Sequence, residues 1–335
     1  MAAAGVDSSH LTSLAIAHGA LGGAPAAALA VRAGGSAAAT ARPGGALEVW
    51  TRAAAGGGYG LAQSIAPRAP GAEPEMIEWA PHEACQGGDA LAAVCADGSV
   101  AVYAGAAPGQ MRLVATLTDC KATCAAFAPA GGVMGLALAL GGADGAVYVY
   151  VAEEGHADDW LLQGVIDGPV PAAAGAAGVS CLAWSAGTSP TLGLVVGGGG
   201  GAAVWALCGA LNRWNAVASL GCGACEGGCT AVAWAENIRA RNVETVAVAS
   251  ADGVRVYEVG GSADAAAIDA TEREASDPSC AAGAPLMHAH ADDAASSLDF
   301  DAAGAQLAAG FPEGEVRLFA VNALGEWGDF SSVAL

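Results

Sequence analysis

Gly142-Ala-Asp144-Gly145-Ala-Val-Tyr-Val149-Tyr150 is one of three nearly identical phrases in this chain. The others are Cys95-Ala-Asp97-Gly98-Ser-Val-Ala-Val102-Tyr103 and Ser250-Ala-Asp252-Gly253-Val-Arg-Val256-Tyr257. Each joins small residues to Asp-Gly and then to an alternating apolar stretch ending in an aromatic. Asp-Gly between alternating stretches is a strong hairpin signal, because both residues tolerate the positive φ of a tight turn. Weaker copies keep the turn and the strand: Arg42-Pro-Gly44-Gly45-Ala-Leu-Glu-Val49-Trp50, Gly199-Gly-Gly-Ala-Ala-Val204-Trp205 and Pro312-Glu313-Gly314-Glu-Val-Arg-Leu318-Phe319. The six copies stand about 47 to 62 residues apart, slightly above the usual repeat length of a propeller blade.

A second landmark precedes each turn by roughly 13 to 18 residues, room for two strands and a connection. It is another strand ending in an aromatic: Met76 to Trp79, Cys124 to Phe127, Cys181 to Trp184, Ala231 to Trp234 and Ser297 to Phe300. Leu14-Ala-Ile16 takes that place in the first repeat. Between the landmarks run apolar segments such as Leu91 to Val94, Leu136 to Leu138, Leu192 to Val196, Val246 to Val248 and Leu307 to Ala309. Outer strands are expected at Leu113 to Leu117, Trp160 to Gln163 and Trp214 to Val217. Four antiparallel strands repeated radially make a β-propeller, which leaves only short sheet edges. The expectation is an all-β, single-domain, six-bladed propeller over 1–335, with blades near 8–54, 61–106, 111–153, 160–208, 214–260 and 286–322. Residues 165–178 read as a Pro/Ala/Gly loop, and the acidic stretch 261–284 as a mobile loop between blades.

Alanine dominates the 54% hydrophobic content and buries little area per residue. Packing energy must therefore come from the scattered Val, Leu, Trp, Phe and Tyr positions. The formal charge is −21, from 33 acidic and 12 basic residues, with Lys121 the only lysine. Such a surface repels phosphate backbones and anionic bilayers, so neither nucleic acid nor membrane is an expected direct partner. No apolar run reaches the ~20 residues of a membrane span. Met1 to Asp7 lacks the basic and apolar regions of a secretory signal. The ten cysteines are accordingly read as reduced thiols of an intracellular protein.

Candidate chemistry is sparse. Cys222, Cys225 and Cys229 form the one metal-like cluster, but zinc takes four ligands and no matching pair follows nearby; a loop is the simpler reading. Cys120 and Cys124 read as small packing residues. Gly197 to Gly201 lacks the Gly-Lys-Ser/Thr of a phosphate loop and opens a strand instead of a helix. His156 with Asp158 and Asp159, and His288 with His290, Asp292 and Asp293, fall at connections expected to face solvent. No serine or cysteine sits in a nucleophile elbow. No catalytic residue, cofactor or metal is expected.

Phe127-Ala-Pro129 through Leu136 to Asp144-Gly145, then Asp158-Asp-Trp160, resembles the third blade and fourth-blade entry of the WD40 propeller nucleoporins of the Y-shaped outer-ring complex, the Seh-one/Sec-thirteen group. Thr230 to Trp234 and Ile238, followed by Val246 to Ala249 and Asp252 to Tyr257, resembles the Seh-one branch. So does the last blade from Gly310 to Phe319 with Gly325-Glu-Trp327. The likeness runs over nearly the whole chain, although Gly-His and Trp-Asp signatures are eroded.

The resemblance implies an open six-bladed propeller completed by strands from an α-solenoid scaffold nucleoporin, with Leu11, Leu14, Ile16, Val316, Leu318 and Phe319 flanking the gap. It implies a non-catalytic scaffold of the nuclear pore at the nuclear envelope, beside other Y-complex subunits, supporting mRNA and protein transport. The rival readings are a coat subunit of the vacuolar-lysosomal nutrient-sensing complex or of the secretory-vesicle coat. A peptide receptor is a different class, for which a basic, aromatic-rich channel mouth is the expected mark.

Overall fold

The computed structural model describes residues 28–53, 58–86, 88–131, 134–168, 178–185, 192–209, 212–220, 228–235, 243–260, 285, 287–289, 294–301, 303–322 and 324–334. The chain divides into two compact units, residues 1–140 with 148–163 and residues 141–147 with 164–335.

Among the described residues, six four-stranded antiparallel sheets follow one another along the sequence, each a simple meander. The first holds β1 (Ala28–Val31), β2 (Ala37–Ala41), β3 (Leu47–Arg52) and β4 (Tyr59–Ile65). The second holds β5 (Pro74–Trp79), β6 (Asp89–Cys95), β7 (Val100–Gly105) and β8 (Arg112–Leu117). The third holds β9 (Ala122–Phe127), β10 (Ala137–Gly142), β11 (Val147–Ala152) and β12 (Trp160–Ile166). The fourth holds β13 (Val179–Trp184), β14 (Gly193–Gly198), β15 (Gly201–Cys208) and β16 (Arg213–Leu220). The fifth holds β17 (Cys229–Trp234), β18 (Val243–Ser250), β19 (Gly253–Gly260) and β20 (Met287–Ala289). The sixth holds β21 (Ser297–Phe300), β22 (Gln306–Gly310), β23 (Glu315–Val321) and β24 (Trp327–Ala334).

Burial falls from the second strand of a sheet to its last. β2, β6, β10 and β14 are buried along their whole length, which suits their unbroken runs of small and apolar residues. β4, β8 and β12 are exposed or half-buried along all but the last residue of β12. In the first unit, Ala37, Ala39 and Ala41 pack with Leu91, Ala93 and Tyr103 of the next sheet. Leu138 and Leu140 likewise pack with Ala92 and Val94. In the second unit, Val195 and Val204 meet Val246 and Val248, and Val256 shares a cluster with Leu307 and Phe319. Small residues let these sheets approach closely, and each fully buried Val or Leu contributes roughly 2 kcal/mol of burial.

The aromatic that ends a first strand has a partner at the start of the fourth. Phe127 tilts against Trp160 at 6.3 Å, Trp184 against Trp214 at 5.8 Å, and Phe300 meets Trp327 edge-on at 5.9 Å. The turns also carry recurring chemistry. Gly98 has φ +81° and Gly145 φ +88°, as the hairpins require. Asp97 accepts from the Ser99 amide at 2.9 Å, and Asp144 from the Ala146 amide at 3.1 Å. Lys121 is exposed in the connection from β8 to β9, directly beside Gly98.

Three expectations about the chain's course are corrected. The opening strand of the first sheet is Ala28–Val31, paired along β2, where Leu14-Ala-Ile16 was expected; Leu11, Leu14 and Ile16 lie outside the described residues. Val165 and Ile166 belong to β12, where the start of a Pro/Ala/Gly loop was expected; residues 169–177 lie outside the described residues. The acidic stretch 261–284, also outside the described residues, joins β19 to β20 within one sheet, not one blade to the next.

Candidate functional site

The aspartates of the three Asp-Gly turns are occupied in holding the fold. Hydrogen bonds from the Ser99 hydroxyl and amide draw the Asp97 carboxyl below the ordinary carboxylate range. Asp252 pairs with both terminal nitrogens of buried Arg255, one at 3.0 Å, and accepts from the Ser250 hydroxyl at 2.5 Å. His288 lies on β20, with Nε2 3.3 Å from the Asp252 carbonyl and 3.8 Å from its carboxylate. His288 thus stands inside a sheet, where a solvent-facing connection between blades was expected. His290, Asp292 and Asp293 lie outside the described residues.

His156, Asp158 and Asp159 sit in the connection from β11 to β12 of a single sheet, again not between blades, and all three are exposed. Beside them is a cleft of about 510 Å³ lined by Gln86, Asp89, Gln110, Arg112, His156 and Asp158, among others. Asp89 is only 5% exposed; its Oδ1 lies 3.0 Å from Arg32 Nη1 and 3.0 Å from His82 Nδ1. Gln86 donates to the Glu154 carbonyl. Burial pushes the Cys85 thiol up to about 11, with the Asp89 charge adding to it. A thiol held protonated at neutral pH is a poor nucleophile. The cleft offers polar contacts and charge of both signs.

Gly197 and Gly198 end β14, Gly201 opens β15, and the hairpin turns between them. Cys229 opens β17 with its sulfur 3.6 Å from that of Cys181 on β13, while Cys222 and Cys225 lie outside the described residues. Among the described residues no group of three His, Cys, Asp or Glu is placed to hold a metal ion. Cys120 and Cys124 are buried. Val316, Leu318 and Phe319 lie on β23, which is paired on both sides, by β22 and β24. Phe319 is 1% exposed and packs among Phe300, Leu307 and Phe311.

Sequence reasoning missed the Arg32, His82 and Asp89 cluster, whose members are joined only by the fold and carry no spacing signal. It also missed the Cys181–Cys229 contact. A signal for the neighbourhood did exist: Ser180 and Thr230 hold the same position, four before the Trp that ends their strands. Each hydroxyl donates to the next blade, to the Cys229 carbonyl at 2.5 Å and the Ala295 carbonyl at 2.7 Å.

No protein-family model and no curated protein matches the chain. Solved structures do. Sqt1 from Chaetomium thermophilum aligns with a TM-score of 0.58 at 18% identity, over 93% of this chain and 75% of its own. The Chaetomium thermophilum Sqt1 bound to the N-terminus of the ribosomal protein L10 gives 0.56 at 19% identity, with the same coverage. Saccharomyces cerevisiae Sqt1 gives 0.55 at 16% identity, over 91% of this chain and 73% of its own. With six four-stranded sheets, the likeness shows the fold, a WD40 β-propeller of six blades.

These neighbours overturn the nuclear-pore expectation. The outer-ring scaffold role, the α-solenoid and Y-complex partners, the nuclear location and the two alternative coats are set aside. The residues that carried the resemblance were turn aspartates, aromatic strand ends and blade spacing. Every propeller of this kind needs them, so they report the blade and not the complex it joins.

Proposed function

We propose that this chain is a non-catalytic protein-binding propeller that holds a short, basic, extended segment of a partner protein. The observation that carries the reading is the formal charge of −21 on this fold. One neighbour in fold was solved with the N-terminus of a ribosomal protein bound, so the basic tail of a ribosomal protein is the partner class to test first. An acidic receptor draws in a cationic peptide and repels nucleic acid and anionic bilayers by the same field. The basic channel mouth expected of a peptide receptor suits an acidic ligand; a basic ligand asks for the opposite sign. Exposed Glu153, Glu154, Asp158 and Asp159 beside the cleft are of that sign. The protonated Cys85 thiol and the turn-bound aspartates support binding over catalysis.

The test is fluorescence anisotropy of the full chain with two labelled peptides, the N-terminal segment of ribosomal protein L10 and a charge-reversed version with every Lys and Arg replaced by Glu. Micromolar or tighter binding of the first is expected, weakening about tenfold between 0.05 and 0.3 M salt as screening shortens the field. Equal binding of the reversed peptide, or no binding of either, sinks the reading.

A further inference from the structure

The geometry points to a reversible disulfide between Cys181 and Cys229, a covalent staple between the fourth and fifth blades. The two cysteines stand on first strands of different sheets, β13 and β17, between which no hydrogen-bonded ladder runs. Their sulfurs are nonetheless 3.6 Å apart, in van der Waals contact. A disulfide needs about 2.05 Å, so side-chain rotation must close roughly 1.5 Å.

Gly197 supplies the room. A Cβ there would lie 2.4 Å from the Cys181 sulfur and 2.6 Å from the Cys229 sulfur, so the space that any side chain would fill is open to both thiols. The Ser180 hydroxyl, donating to the Cys229 carbonyl, holds the two strands in this register. Exposure is asymmetric: Cys181 is half-buried, whereas Cys229 is 3% exposed. Oxidant therefore reaches Cys181 first and Cys229 resolves.

The oxidant is a small-molecule disulfide such as oxidised glutathione. The Cys181 thiolate attacks one glutathione sulfur, forming a mixed disulfide and releasing one glutathione thiolate. The Cys229 thiolate then attacks the Cys181 sulfur and expels the second. Two protein thiols are oxidised, one glutathione disulfide is reduced to two thiols, and the two protons pass to the departing glutathiones. The bond spans 48 positions of sequence.

The test treats the full, unsubstituted chain with oxidised glutathione, alkylates remaining thiols, digests without reductant and reads linked peptides by mass spectrometry. A Cys181–Cys229 linked peptide should rise at least tenfold over the reduced sample and vanish on treatment with dithiothreitol. In a Cys181→Ser chain it should be absent, with no linked peptide in its place. Recovery of Cys181 as a lasting glutathione adduct, or of Cys229 joined to Cys222 or Cys225, overturns the proposal. Because the deciding mass is read on the unsubstituted chain, a variant that fails to fold does not protect it.

Discussion

A methyl group at position 197 has nowhere to go: two sulfurs already stand 2.4 and 2.6 Å from where it would sit. Gly197→Ala is expected to cost about 2 kcal/mol of stability in urea unfolding, the usual range for overpacking a filled core. Replacing Cys181 and Cys229 by alanine in the same chain should recover most of that loss. Cys85 gives a pH signature of its own. Its thiol rises from 9.0 to about 11 on folding, by burial first and the Asp89 charge second. The folded state therefore holds this proton more tightly. The contribution is complete below pH 9 and is lost as pH climbs through about 11. Equilibrium unfolding measured from pH 8 to 11 should show this decline, and a Cys85→Ala chain should show a shallower one. Neither residue could be singled out from sequence. Gly197 sits in a run of five glycines that reads as a turn, and Cys85 owes its state to Asp89 and to burial.

Strands and hairpins were far more legible, because each blade must repeat the same solution. The aromatic ends at Trp79, Phe127, Trp184, Trp234 and Phe300 all close first strands. The segments between them and the turns all became second strands. Failures fell where a device was absent or displaced. Ala28-Leu-Ala-Val31 opens the first sheet without an aromatic to mark it. Met287–Ala289 is three residues long and stands beyond the acidic stretch, so nothing local ties it to β19. The fifth-blade turn yields the test at this scale. Asp252→Asn removes a negative partner of Arg255, itself among the buried charged residues. Losing that ion pair at a buried guanidinium should cost about 2 kcal/mol. The loss should be smaller for Asp97→Asn, whose carboxylate is 43% exposed and whose ion pair with Arg68 is long at 3.9 Å. Urea denaturation of the two variants side by side checks the order.

For the molecule as a whole, the surplus of 33 acidic over 12 basic residues sets the field that any partner meets. The same charge works against compaction, so moderate salt should raise the urea midpoint of the free chain while it weakens a basic peptide's binding. Opposite signs for these two effects, titrated in one buffer series, are the expected outcome; a midpoint that falls with sodium chloride would count against self-repulsion as a cost. The charge was legible from composition alone. The partner was not, since blade chemistry is common to propellers that serve unrelated assemblies. The lone lysine has a practical corollary. Lys121 is exposed between β8 and β9, so an amine-reactive dye finds one side-chain target, at the foot of the third blade. A lysine-specific endoprotease likewise has one bond to cut, leaving the first two blades and the last four on separate fragments whose continued association would report how firmly they hold together without a covalent link.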